Sequence, residues 1–229
     1  MIAFLWGEKI DMALAIFDLD DTLLNGDSDF AFGQFMIREG IVEKADYDQK
    51  NQQFKQDYVD GVLDIIAYSR FCLSPLKQFN ADELTELHAK FMLHSITPML
   101  QEKAQAKIDY HKGKGDFVLV ITATNGFVAR PIAEMMQVND VLATEPEYKQ
   151  GKITANIVGT PCYQEGKVLR LQQWLSINTD YDMAESYFYS DSINDLPLLQ
   201  KVTYPVVVNP DSKLKQHALN QQWPILSFR

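Results

Sequence analysis

The chain has 229 residues, 46% of them hydrophobic and 11% aromatic, which is enough for one large domain or a domain carrying a sizeable insertion. A net charge of −10 and a pI near 4.8 argue against nucleic acid and against anionic membrane surfaces as partners. Cys72 and Cys162 are far apart and lack metal or redox spacing, so buried thiols in a reducing cytoplasm are expected.

Residues 1–11 read as an N-terminal extension. Their apolar run Ile2–Trp6 is too short for a signal sequence, and Met12 is a candidate start because the fold signal begins at Leu14. No stretch approaches the length of a membrane span. Leu14–Phe17 reads as a short buried strand, and Asp18, Asp20 and Asp21 follow within four residues. Like charges that close repel, and burial disfavours each charged form, so the cluster asks for a cation or a proton. Asp18 and Asp20 lie two apart and leave an extended segment on the same side. There one can attack phosphorus while the other handles the leaving group's proton. The competing reading is an Asp-rich turn in which Asp20 or Asp21 caps a helix through Thr22.

Asn25-Gly26-Asp27-Ser28 is turn chemistry. From Phe30 to Tyr110 the pattern is helical almost throughout, with Phe32, Phe35, Met36 and Ile37 on one face. Asn80 is a plausible cap for a later helix. Without strand-like alternation, this block reads as an all-helical insertion whose Met, Phe and Tyr residues form its own core. Phe117–Ile121 is a continuous apolar run suited to a strand buried on both faces, ending at Thr122-Ala123-Thr124-Asn125. A helix over Phe127–Met136 is expected next, with Pro131 in its first turn. Val141–Ala143 reads as a short strand and Tyr148–Val158 as a separate hairpin. Glu165-Gly166-Lys167 opens a helix, Tyr187–Tyr189 is a strand ending at Ser190-Asp191, and Val206–Val208 is another before a last helix over Ser212–Leu219. Strands alternating with helices imply an α/β fold with a doubly wound parallel sheet. Residues 12–26 and 113–229 form its core, and residues 27–112 an inserted helical cap.

Ligands of such sheets bind at the carboxyl ends of the strands. Those ends carry Asp18 and Asp20, Thr122, and Asp191, Asn194 and Asp195, with Lys167 at a helix start. This is a toolkit for metal-assisted phosphoryl transfer. Mg²⁺ takes a few carboxylates, a carbonyl and several waters, which Asp18, the Asp20 carbonyl and Asp191 could supply. Lys167, the Thr122 hydroxyl and the backbone N–H groups from Ala123 onward would hold phosphate oxygens. Asp20 would serve as acid and then base. His88, His94, His111 and His217 show no metal-ligand spacing and read as surface or cap residues.

Asp18-x-Asp20-x-Thr22, Thr122, Lys167 and Asp191-x-x-Asn194-Asp195 resemble the four motifs of the haloacid dehalogenase superfamily. The helical insertion after the first motif resembles its subclass I, the phosphoserine-phosphatase-like branch. The resemblance implies a phosphatase with Asp18 as nucleophile and Asp20 as acid/base. It also implies Mg²⁺ on Asp18, Asp20 and Asp191, with Asp195 supporting the metal or Lys167, and Asn194 touching phosphate or metal water. Ser190, Asp21 and the Thr-Ala pair of the second motif depart from the phosphoserine phosphatase pattern. In that branch an acid after the first motif and a cap arginine read the substrate's amine and carboxylate. Asp27 stands at the former place, and Arg70 is the nearest candidate for the latter. The Gly26–Asp29 and Ile121–Asn125 stretches also resemble a bacterial subgroup for which histidinol phosphate is one proposed substrate. The expected partner is thus a small phosphorylated metabolite, with the protein a monomer or homodimer. Phosphotransfer to an alcohol, a signalling receiver and a non-enzymatic phosphate-binding module are the alternatives.

Overall fold

The computed structural model describes residues 12–229, so the reading of residues 1–11 as an extension lies outside it. Seven strands form one sheet in the order β4-β3-β2-β1-β5-β6-β7. They are β1 (Leu14–Phe17), β2 (Phe117–Asn125), β3 (Asp140–Lys149), β4 (Lys152–Val158), β5 (Ser186–Ser190), β6 (Tyr204–Val208) and β7 (Ile225–Leu226). Every pairing is parallel except β3 with β4. β1 is central because its apolar residues can be buried on both sides. Ala15 and Phe17 join one hydrophobic layer, while Leu14 and Ile16 join the other. The chain leaves β1 toward β2 on one side and returns to pair β5 on the other, so its end is the switch point of the sheet.

The helices of the first layer are α1 (Ser28–Arg38), α2 (Lys44–Asp60), α3 (Ile65–Leu73), α4 (Ala81–Phe91), α5 (Glu102–Gly113) and α6 (Gly126–Met135). Asn80 and Glu83 form a reciprocal capping box on α4, as its sequence promised. The other layer holds α7 (Glu165–Ile177), the short α8 (Leu196–Leu199) and α9 (Ser212–Gln221).

Several expectations change. The insertion has no closed core of its own: Phe32, Phe35, Met36 and Phe91 belong to the same continuous cluster as Phe17, Val118 and Val120. The cause is connectivity, because α1 starts directly beyond the β1 loop and α5 leads straight into β2. The Val141–Ala143 strand and the first arm of the hairpin are one ten-residue strand, parallel to β2 at its start and antiparallel to β4 at its end. That extended hairpin packs beneath α3 and so props the cap. Pro131 lies in the interior of α6, beyond its first turn, because the helix starts at Gly126. His111 is fully buried under the sheet, between Asp116 (2.7 Å) and the Tyr189 hydroxyl (2.8 Å), and is no surface residue. Among the described residues no helix is long and apolar enough to cross a membrane. Both cysteines are buried, free thiols.

Candidate active site

β1 ends one residue before Asp18, whose N–H donates to the Tyr189 carbonyl of β5 (2.9 Å). That bond carries the sheet ladder one residue further and fixes where the carboxylate leaves the sheet. The chain then coils through a tight loop, with Asp21 at φ +53° and Asp21 N–H bonded to Gly26 O (3.0 Å). Above the loop a cavity of about 380 Å³ opens between core and cap, within the usual range for small-molecule sites. Its wall includes Asp18, Asp20, Asp27, Thr122, Ala123, Asp191 and Asn194. The charge pattern explains the loop's composition, but the helix-cap reading does not hold for Asp20. Its carboxylate accepts from Ser28 N–H (2.7 Å) and from the Thr124 hydroxyl (2.5 Å) instead.

Lys167 reaches the same point from the opposite layer. A Cβ on Gly166 would sit 2.0 Å from the Pro161 carbonyl oxygen, so only glycine lets the chain fold this tightly into α7. The next residue, Lys167, is 1% exposed and donates to Asp18 Oδ1 and Asp195 Oδ2, both at 2.7 Å. Burial opposes its charge, but the two carboxylates outweigh that and hold its pKa above the ordinary lysine range. Asp195 also accepts from Ser190 Oγ (2.7 Å), which gives the serine of this motif a role. The Asp195 carboxylate thus faces Lys167 and Ser190, and of the two supporting roles expected of it, the contact to Lys167 is the one on display.

Burial raises Asp18 above the usual carboxylate range, with Asp195 and Asp20 adding to the effect and Lys167 opposing it. Burial, followed by the neighbouring Asp27, pushes Asp20 up to about 7. Asp191 is raised well above its ordinary value by burial and by Asp18, Asp21 and Asp195. Carboxylates crowded like this are a mark of sites that hold a cation or move a proton. Thr22 donates to Asp191 Oδ1 (3.3 Å) and Lys167 to Asp18 Oδ1, so the second oxygen of each carboxylate has no hydrogen bond among the described residues. Free carboxylate oxygens of this kind suit a hard divalent ion that keeps several waters. Among the described residues no three His, Cys, Asp or Glu side chains are arranged as an all-protein metal cage. Thr122 Oγ1 accepts from Thr124 N–H (3.1 Å), which leaves its own proton free to donate into the cavity.

Asp27 is both turn residue and wall: it caps α1 through Phe30 N–H (2.8 Å) and lines the cavity. Arg70 is not brought to the site. It lies on the exposed face of α3, while Ile65 and Tyr68 of that helix line the cavity. Asn194 lines the cavity, but its amide is engaged with the cap. Nδ2 donates to Tyr58 O of the cap (2.8 Å) and Oδ1 accepts from Gln164 (3.1 Å), which leaves one amide N–H for a partner in the cavity.

Several wall residues escaped the sequence. Thr124 was detectable, because it lies two residues from Thr122 on one face of β2. The cap contributes Phe54, Tyr58 and Tyr68, and the buried Asp29 is held by Asn125 Nδ2 (2.6 Å). Arg229 arrives from 208 positions away to pair with Asp21, and no local pattern announces it.

A parallel sheet whose switch point opens into a capped, carboxylate-lined cavity, with an ammonium buried behind it, is the build of an α/β phosphohydrolase. The chain belongs to the haloacid dehalogenase-like hydrolase family, which it matches over residues 15–200, and within it is a phosphatase. A histidinol-phosphatase of Neisseria meningitidis serogroup C (strain 8013) is 42% identical over 219 residues, covering 94% of this chain and 99% of that protein. A Bordetella pertussis Tohama I protein of unknown function has a crystal structure that superposes with a TM-score of 0.89 at 39% identity, covering 95% of this chain and 99% of that one. A substrate-bound phosphoserine phosphatase shares the fold at 18% identity, with a TM-score of 0.68 over 96% of this chain and 94% of that one.

Proposed function

We propose that the protein is a Mg²⁺-dependent phosphomonoesterase for a small amine-bearing alcohol phosphate, with histidinol phosphate ahead of phosphoserine. The observation that carries the substrate class is the cavity wall, where Asp27 and Asp29 stand with Phe54, Tyr58 and Tyr68. Carboxylates favour a cationic amine, and rings favour a flat partner. With Arg70 outside the cavity, the cap offers no arginine to a substrate carboxylate, which counts against phosphoserine. The 42% identity to a Neisseria histidinol-phosphatase supports the same choice.

Asp18 attacks phosphorus, forming the Oδ–P bond as the ester P–O bond breaks. The departing alkoxide takes the Asp20 proton. Asp20 then removes a proton from water as that water attacks phosphorus and frees Asp18, and phosphate leaves. Lys167 fixes Asp18, and Thr122 donates to a phosphate oxygen. A Mg²⁺ held by Asp18, Asp191 and the Asp20 carbonyl would offset the repulsion between two anions.

A panel of histidinol phosphate, phosphoserine and sugar phosphates with Mg²⁺ tests the substrate. The highest kcat/KM is expected for histidinol phosphate, and a sugar phosphate at the top would remove the role given to Asp27. Product analysis with added alcohols separates hydrolysis from phosphotransfer.

Asp20 supplies a second check. A carboxyl pushed up to about 7 holds its proton below that pH and loses it above, so kcat/KM for an alkyl phosphate is expected to fall on the alkaline side. Asp20→Asn should cost roughly 10²–10⁴-fold with an alkyl ester. With p-nitrophenyl phosphate, whose leaving group needs no proton, it should cost far less. Equal losses in kcat/KM, which reports the steps up to release of the alcohol, would show that Asp20 is not the acid.

A further inference from the structure

We propose that Lys55, Lys213 and Arg229 form a cationic collar at the cavity mouth that captures the phosphate end of the substrate before it reaches Asp18. The chain carries a net charge of −10, and seven aspartates (Asp18, Asp20, Asp21, Asp27, Asp29, Asp191 and Asp211) line the cavity. A phosphate ester is an anion, so the protein's own field repels the molecule it must admit. Three exposed cations also line this cavity, and they come from three unrelated parts of the chain: Lys55 from α2, Lys213 from α9 and Arg229 from the segment after β7.

None of the three has a part in the chemistry above, and among the described residues only Arg229 is held by an ion pair. Lys213 is the second residue of α9, where a cation opposes the helix macrodipole. Its Nζ lies 3.4 Å from Val59 O, a weak contact. Lys55 makes no ion pair or hydrogen bond among the described residues and stands 4.5 Å from the centre of the Phe30 ring. Arg229 pairs with Asp21, a partly exposed carboxylate of the cavity wall. It is held firmly there: Phe228 is 6% exposed, its N–H donates to Asn209 Oδ1 (3.2 Å), and Asn209 Nδ2 donates to Asp21 O (3.3 Å). Asn209 thus ties segment 225–229 to the catalytic loop.

Such charges act on encounter and not on the chemical step, and salt screens them. The test measures kcat and kcat/KM for p-nitrophenyl phosphate, with inorganic phosphate as competitive inhibitor, from low ionic strength to 1 M NaCl. The variant K55Q/K213Q/R229Q is expected to lose roughly 10–100-fold in kcat/KM at low salt, with kcat unchanged and the phosphate inhibition constant raised in parallel. Near 1 M salt, where the screening length is about 3 Å, the gap to the parent should close. Lys213 and Arg229 also touch Val59 and Asp21, so Lys55→Gln alone is the variant that removes charge without a bond, expected at about threefold in kcat/KM with an unchanged melting temperature. A salt dependence equal to the parent's, or a loss that persists at 1 M salt or falls on kcat, would overturn the collar. The readout uses a generic ester, so it stands or falls apart from the choice of histidinol phosphate.

Discussion

Asp18→Asn is expected to abolish turnover, with kcat down about 10⁴-fold or more and the fold intact. Asn keeps the shape of the side chain, and its amide oxygen can still accept from Lys167, which donates to Asp18 Oδ1 at 2.7 Å. What it loses is a lone pair that can bond phosphorus. Stability should hold or rise, because burial, Asp195 and Asp20 all disfavour the charge that is removed. Two measurements check this. Steady-state rates report the loss, and acid quenching with radiolabelled phosphate ester should leave label on the parent and none on the variant. Full activity in Asp18→Asn, or retention of label there, would end the assignment of nucleophile. Hydrolysis and phosphotransfer to an alcohol both pass through this residue, so the result does not depend on which acceptor wins.

The parts of the fold that could be read from the chain are those in which local sequence dictates the environment. Leu14–Phe17, Phe117–Ile121 and Val206–Val208 are apolar on both pleat faces, and only a doubly covered parallel sheet satisfies that pattern. Asp18, Thr122, Lys167 and Asp191 stand out because polar groups at the ends of such strands need a reason. What stayed hidden was long-range. Helix periodicity marks the Phe32, Phe35 and Met36 face as apolar but not the surface it meets, so the insertion seemed to have a core of its own. Arg70 looked suitable by type, and the rotation of α3 that turns it outward is set by packing on β4. His111 has no motif, because its partners Asp116 and Tyr189 are gathered by the crossover from α5 into β2 and by β5. Asn194 lines the cavity, but its bond to the end of α2 depends on how the cap seats, which no local pattern announces.

Lys167→Met is the second large effect, and it reaches stability as well as rate. Lys167 is 1% exposed, and it separates Asp18 from Asp195 with 2.7 Å contacts to each. Methionine matches its length and fills the slot, so little packing is lost. The variant instead leaves two buried carboxylates without their cation, a situation that costs about 3–5 kcal/mol in comparable buried pairs. The pH dependence has a definite sign. Without the ammonium the folded-state pKa of Asp18 rises further above its unfolded value of about 3.9. A carboxyl raised in this way stabilises the fold while it is protonated, and that contribution is lost as pH rises through the folded value. The deficit of Lys167→Met relative to the parent should therefore be small near pH 4 and largest above neutrality, as followed by denaturant unfolding at each pH. Adding Asp195→Asn removes one of the stranded charges and should recover part of the stability at pH 8 while activity stays lost, because the ammonium that orients Asp18 is still missing. If Lys167→Met unfolds within about 1 kcal/mol of the parent at pH 8, water or another group must satisfy both carboxylates, and the view of Lys167 as the cation that makes this cluster tolerable would be wrong.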